Sequence, residues 1–343
     1  MMKHDQTQIV IIGAGYAGLI AARRLAWKTS RNEVAITLVN GTECFVERIN
    51  LHKFAANQPA VYITKDNGTA HLNLGVALAE QNNIDDAVRH YYKAIKTRPD
   101  LIAPHLNLGV ALREQGKLDL AMDHFLTVLK LKSDCADAHY ELGYTLERKG
   151  DLSGAVKHYL EAIKINPGLA KAYKELGVIL VGYNKVKAAI IYFSKALQID
   201  PAYAGAHYNL GKIYFNQKDT EKAIFHYRKA LQSNPDMTQA LYHLSWILSG
   251  CNNDKFRNGQ KAIQLAEKLC RITQYDEPLA MDALAAAYAE NGRYDEAVLT
   301  AQKALKLALK QGPEELVLGL RQRLKLYQDK TPYRQAAVIK GNS

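Results

Sequence analysis

Gly13, Gly15 and Gly18 follow the apolar run "IVII" at residues 9–12 and open the stretch "GAGYAGLIAARRL". Glycines at G-x-G-x-x-G spacing, between a strand and a helix, suit a pyrophosphate. The first makes the tight turn, the second admits the phosphates to the backbone, and the third lets helix and strand pack, while the helix N-terminus stabilises the charge. "EVAITLVN" at 33–40 predicts a second strand, and Asn40 stands at its end, where this fingerprint ordinarily places Asp or Glu on the ribose hydroxyls. An amide accepts that hydrogen bond without charge assistance.

Other chemistry is hard to assemble from this sequence. There is no HExxH, no nucleophile elbow and no Walker lysine. The cysteines Cys44, Cys135, Cys251 and Cys270 are dispersed, with no C-x-x-C, which argues against a disulfide scaffold or a zinc site and points to a reducing compartment. His71, His105, His139 and His207 share one register and His90, His124, His158 and His226 another. Equivalent members stand a full repeat apart, on the order of 10 Å, beyond the reach of one ion, so packing of imidazoles at helix contacts is expected and metal binding is not.

The element that must position everything after residue 67 is a repeat. "LNLGVAL" at 72–78 returns at 106–112, then as "YELGYTL", "KELGVIL" and "YNLGKIY", placing Gly75, Gly109, Gly143, Gly177 and Gly211 at intervals of 34 residues. Ala87, Ala121, Ala155, Ala189 and Ala223 keep the same register, as do Tyr91, Phe125, Tyr159, Phe193 and Tyr227. Pro99, Pro167, Pro201 and Pro235 close four of the five units. Apolar residues at helical spacing on either side of a polar turn predict two amphipathic helices per unit, each about 14 residues and marginal alone in water. A glycine inside a helix costs about 1 kcal/mol against alanine. Five at one register therefore require a gain, found in close approach of the paired helices.

With length, glycine, alanine, aromatic and proline rows all in agreement, residues 68–311 resemble the tetratricopeptide repeat. Five units are regular (68–101, 102–135, 136–169, 170–203 and 204–237) and two are degenerate, the sixth carrying Ser245 on the glycine row and an insertion around "GCNNDKFRNG", the seventh Ala285. The resemblance implies a mainly α fold, a right-handed α-solenoid of helical hairpins whose first helices line a binding groove. Residues 312–328 read as a capping helix, with Leu316, Leu320, Leu324 and Tyr327 on one stripe, and 329–343 as a frayed tail.

In peptide-reading members of that family an asparagine precedes the Leu-Gly pair and faces the groove, which singles out Asn73, Asn107 and Asn209, with Glu141 and Glu175 interrupting the ladder. An asparagine can both donate to and accept from an extended peptide backbone. Neighbouring rows add Tyr208 and, in the middle of the array, Tyr140, Tyr144, Lys171, Lys174 and Lys212, which suit an acidic or C-terminal segment. The expected function is a protein-binding scaffold with no catalytic residues, no metal and no cofactor of its own.

The first 58 residues, with "NGTECFVERINLHKFAANQ" after the second strand, resemble the start of a flavin-linked pyridine nucleotide oxidoreductase of the NADH dehydrogenase type, a small βαβ Rossmann-like fragment. That resemblance implies FAD held by Gly13, Gly15, Gly18 and Asn40, and an oxidoreductase is the alternative reading of the chain. The repeat begins at 68 after a linker at 59–67, leaving no sequence for the rest of such an enzyme, so a noncatalytic fragment is expected. The chain has 343 residues, 48% of them hydrophobic, and a net charge of +11. The basic residues form no run and no nucleic-acid motif, so a protein partner is favoured over nucleic acid. The early apolar stretch contains three glycines and leads into Arg23 and Arg24, so no membrane insertion is expected and the chain is assigned to the cytoplasm.

Overall fold

A computed structural model describes residues 7–12, 34–39 and 68–335. The chain forms two compact units, residues 1–165 and 166–343. In the first unit, β1 (Thr7–Ile12) and β2 (Val34–Val39), both rich in β-branched residues, pair in parallel with Thr7 opposite Val34 and Ile12 opposite Val39. A parallel pair requires a crossover, but the helix expected from Tyr16, the glycines Gly13, Gly15 and Gly18, Asn40 and the 59–67 linker lie outside the described residues. The Rossmann-like reading of residues 1–58 therefore rests on two strands alone, and the architecture described is helical.

The rest of the first unit is three hairpins: α1 (Gly68–Glu80) with α2 (Ile84–Thr97), α3 (Ile102–Glu114) with α4 (Leu118–Leu131), and α5 (Ala136–Arg148) with α6 (Leu152–Ile165). The second unit continues the pattern with α7 (Ala170–Gly182) and α8 (Val186–Ile199), α9 (Ala204–Asn216) and α10 (Thr220–Ser233), α11 (Thr238–Gly250) and α12 (Gly259–Ile272), and α13 (Pro278–Glu290) and α14 (Tyr294–Gln311). It ends with α15 (Glu314–Gln328). The insertion of the sixth hairpin is a loop with one 3-10 turn, Asp254–Phe256.

Six of the seven hairpin turns pass through a left-handed residue, the sixth hairpin with its inserted loop being the exception: Asn82, Gly116, Gly150, Asn184, Lys218 and Gly292 all have φ between 57° and 89°. Gly and Asn are the residues that adopt this region at little cost, and Lys218 is the exception. The turns bring each glycine of the sequence repeat under the aromatic ring of its own hairpin. An added Cβ would meet the ring at 2.5 Å at Gly75 and Gly109, 2.9 Å at Gly143, 2.6 Å at Gly177 and 2.7 Å at Gly211. The alanine row is wholly buried beside those rings. The repeat thus encodes contact within a hairpin: a flat helix surface, and a ring laid on it.

In the second unit the core runs on from Ala223 and Tyr227 to Leu320 and Tyr327 of α15, with Arg321, Lys325 and Gln328 exposed. The tail differs from its expectation. Residues 331–335 do not fray; they turn back onto α11, where the Gln335 N–H donates to the Gly250 carbonyl at 2.9 Å. Residues 336–343 lie outside the described residues.

Candidate protein-interaction surface

The first helix of each hairpin carries the residues singled out in the sequence. In the first unit Asn73 on α1 is exposed and Asn107 on α3 is half-buried. Tyr140 and Tyr144 lie one turn apart on α5 and stack, with centroids 6.3 Å apart and an interplanar angle of 12°. Arg113, from α3, lays its guanidinium 4.7 Å from the Tyr144 centroid and pairs with Glu141 of α5. Tyr140 also touches Tyr159 of α6, with centroids 5.7 Å apart, and the Tyr159 hydroxyl donates to Glu147 at 2.8 Å. The glutamate that interrupts the asparagine ladder is therefore the anchor of a buried arginine. Together they fix an aromatic and cationic cluster on two neighbouring first helices.

In the second unit Glu175, the other interruption, is buried and pairs with Lys174. That pair neutralises one of the lysines expected to read an acidic segment. Lys171 is half-buried and Lys212 exposed. Asn209 donates one Nδ2 hydrogen to the Gly205 carbonyl at 2.8 Å, one turn back on its own helix, which orients the amide and leaves its second N–H and its Oδ1 to meet a peptide. Tyr208 sits 6.1 Å from Tyr227 and 6.0 Å from His243, centroid to centroid. His243 stacks on Tyr227 at 5.4 Å, nearly parallel. Burial, then the charge of Lys212, pulls the His243 imidazole down to about 4.

The two histidine registers meet across four of the hairpins. Nδ1 lies 3.0 Å from Nδ1 in His71–His90, His105–His124, His139–His158 and His207–His226. His207 Nε2 faces the Pro201 carbonyl at 3.1 Å. In the neutral pair, then, His207 donates through Nε2 and accepts at Nδ1, and His226 donates through Nδ1. Burial, then His207, then Lys222 lower His226 to about 4. These are hairpin fasteners. Among the described residues no three His, Cys, Asp or Glu side chains stand where one ion could be held.

A second cluster, which sequence reading missed, lies at the end of the second unit. Asp282 of α13 is buried and receives both Nε and Nη2 of Arg323 from α15, at 2.9 and 2.6 Å. The Arg323 guanidinium lies 5.4 Å from the Trp246 centroid and 5.5 Å from that of Tyr333. The sole sequence signal was an acidic residue inside the alanine-rich helix "PLAMDALAAAYAE".

The chain matches family models at several places. Models described as tetratricopeptide repeat cover residues 106–170, 204–237 and 280–315, and one described as TPR repeat covers 184–218. A model described as pyridine nucleotide-disulphide oxidoreductase covers 7–114. The last part of that match, from residue 68, folds here as α1 to α3 of the repeat array. No curated protein sequence matches the chain.

Among solved structures, the Cut9–Hcn1 assembly of the APC/C is similar at 15% identity over 76% of this chain and 53% of that one, with a TM-score of 0.55. This likeness shows the fold. MamA from Desulfovibrio magneticus RS-1 matches at 22% identity over 51% of this chain and 99% of that one, TM-score 0.43. PilF of Pseudomonas aeruginosa matches at 16% over 74% and 96%, TM-score 0.49. None of the described helices is long and apolar enough to cross a membrane. With the 34-residue hairpins described and the repeat models matching along them, the chain is a tetratricopeptide-repeat protein with an N-terminal segment similar to the pyridine nucleotide-disulphide oxidoreductases.

Proposed function

We propose that the first helices of the array hold an extended segment of a partner protein, and that the protein acts as a scaffold. The observation that carries this reading is the preordered group Arg113, Tyr140 and Tyr144, held by Glu141 on adjacent first helices. Tyrosine and arginine are the usual energetic anchors of protein interfaces, and their rotamers are fixed here before any partner arrives. Asn73 and Asn107 flank that group in the same unit and can pair with peptide main chain. In the second unit Lys212, with Lys171, supports an acidic segment, while Lys174 is offset by Glu175.

Affinity capture with the full chain, followed by binding measurements on the identified segment, tests the reading. Tyr144→Ala and Asn107→Ala are each expected to weaken that segment at least tenfold. Unchanged affinity in both overturns the proposal. The free thiols Cys135, Cys251 and Cys270 support a reducing, cytoplasmic setting, which cell fractionation checks.

The match at residues 7–114 supports a second reading, a flavin site built on Gly13, Gly15, Gly18 and Asn40. Purified full chain incubated with FAD and passed through gel filtration then carries yellow absorbance. Colourless protein removes this reading.

A further inference from the structure

Residues 331–335 lie on the first-helix side of the last repeats as a bound peptide would. The Gln335 N–H donates to the Gly250 carbonyl at the end of α11. Arg334 reaches the carboxylate of Glu290 at 2.7 Å and the Ser249 carbonyl at 3.4 Å. The Tyr333 ring meets Trp246 edge to face, centroids 5.7 Å apart. Beneath them the side chains that face the segment are also held by partners outside it. Asp282 fixes Arg323 under the rings of Trp246 and Tyr333, and Arg257 of the sixth-hairpin loop holds Glu290 at 3.0 Å.

Two properties separate this contact from ordinary core packing. The segment is short and half-buried, anchored by the Arg334–Glu290 ion pair, the Arg334 bond to the Ser249 carbonyl, the Tyr333 ring and the Gln335 main-chain bond to α11. With the segment in place the face below it is nearly closed, Trp246 8% and Asp282 1% exposed. An aromatic wall beside a carboxylate, at the negative end of α11, selects an aromatic residue followed by a cation.

We propose that Trp246, Gly250, Glu290 and Arg323 form a binding site for an extended partner segment bearing an aromatic–basic pair, and that the chain's own Tyr333–Arg334 occupies this site in cis. The inference rests on the scaffold reading above and names, for the end of the second unit, the chemistry of the segment bound and what competes with it. A tethered segment acts at an effective concentration of about millimolar. A free peptide of the same sequence must therefore compete with it.

The test uses the full chain and a fluorescently labelled peptide of residues 329–335, DKTPYRQ, followed by anisotropy. Wild type is expected to bind the peptide at least tenfold more weakly than the chain carrying Tyr333→Ala and Arg334→Glu. Adding Glu290→Gln to that chain is expected to remove the gain. Arg334→Ala alone changes one half-exposed side chain and gives the same ordering should the double variant fold poorly. A segment that merely braces the fold predicts no gain, so equal affinity in wild type and variants, or no binding to any, overturns the proposal. A wild type that is dimeric by light scattering and monomeric once Tyr333 and Arg334 are replaced places the segment on a second copy and overturns occupancy in cis. Partner capture that tail substitution leaves unchanged removes this inference while the scaffold reading stands; no capture by either chain removes the scaffold reading itself.

Discussion

The ring of Phe125 roofs the backbone of Gly109: a methyl group added at that glycine would fall 2.5 Å from Cε1 of a side chain with no exposed surface. Two effects oppose each other in Gly109→Ala. Helix propensity favours alanine by about 1 kcal/mol. Overpacking a ring that cannot retreat costs about 1–3 kcal/mol or more. The clash is severe and the site rigid, so the variant is expected to lose about 2 kcal/mol of net stability in urea titration, with Phe125→Leu in the same chain recovering part of it. A Gly109→Ala chain as stable as wild type contradicts the packing described.

The degenerate repeats obey the same rule in reverse. The sixth and seventh hairpins carry Ser245 and Ala285 where the others carry glycine, and the second helix has Ala266 and Ala301 at the aromatic position, both wholly buried. Side-chain volume has moved from one helix to the other. The glycine and aromatic rows were legible as separate periodicities because each hairpin repeats the same environment. Their exchange was not, since it shows only when the turn sets one row over the other.

Lys218 occupies the left-handed turn position that glycine or asparagine fills in the neighbouring hairpins, with φ at 64°. An L-residue with a Cβ there is strained by about 1 kcal/mol. Lys218→Gly relieves this but enlarges the unfolded ensemble. The net expectation is a gain of about 0.5 kcal/mol, read as a higher unfolding midpoint of the second unit. A lower midpoint would show that the interactions of the lysine side chain outweigh the strain.

Stability should fall as the solution is acidified from neutrality. Burial lowers His71, His90, His105, His124, His158, His207, His226 and His243, the last two to about 4. A histidine whose folded value lies below its unfolded value of about 6.5 leaves the unfolded chain binding the extra proton. The stabilisation is complete above about 6.5 and is lost as pH drops toward 4. The charges facing these rings are mixed. Lys93, Arg89 and Asp86 act on the first pair, Asp123 on His124, Asp151 and Glu161 on His158, Lys229 and Asp200 on His207, Lys222 on His226 and Lys212 on His243. His243→Phe keeps the ring on Tyr227 and removes the proton site, so its melting temperature should vary less with pH between 6.5 and 4. An unaltered slope refutes the assignment.

The candidate surface was readable only in part, for a physical reason. Periodicity reports what each hairpin shares, and it placed Asn73, Asn107, Tyr140, Tyr144, Tyr208 and Lys212 on first helices. Partnerships between repeats are specific to one place and leave no period. Glu141 reads in the sequence as a break in the asparagine ladder, and its partner Arg113, 28 positions away, is set beside it only by the packing of α3 on α5. The histidine registers were visible and packing at helix contacts was expected of them, but periodicity alone does not say which register meets which. Their contact runs across the hairpin, 19 positions away.

The Asp282–Arg323 pair is the strongest test of the second unit, because it spans α13 and α15 and lies almost wholly out of water. Burial pushes the Asp282 carboxyl upward, and the Arg323 guanidinium, hydrogen-bonded to both oxygens, opposes the shift. Removing one partner leaves the other charge buried and uncompensated, which costs about 3–5 kcal/mol, whereas replacing both with apolar residues of similar volume is close to neutral. Asp282→Ala should therefore lower the stability of the second unit by about that amount, and Asp282→Leu with Arg323→Met should restore most of it. The double variant also removes the cation from beneath Trp246 and Tyr333, so its residual deficit, measured in urea, reports what the arginine contributes to the rings. A double variant as unstable as the single one would mean that the ion pair specifies the packing of α15 and does more than neutralise charge.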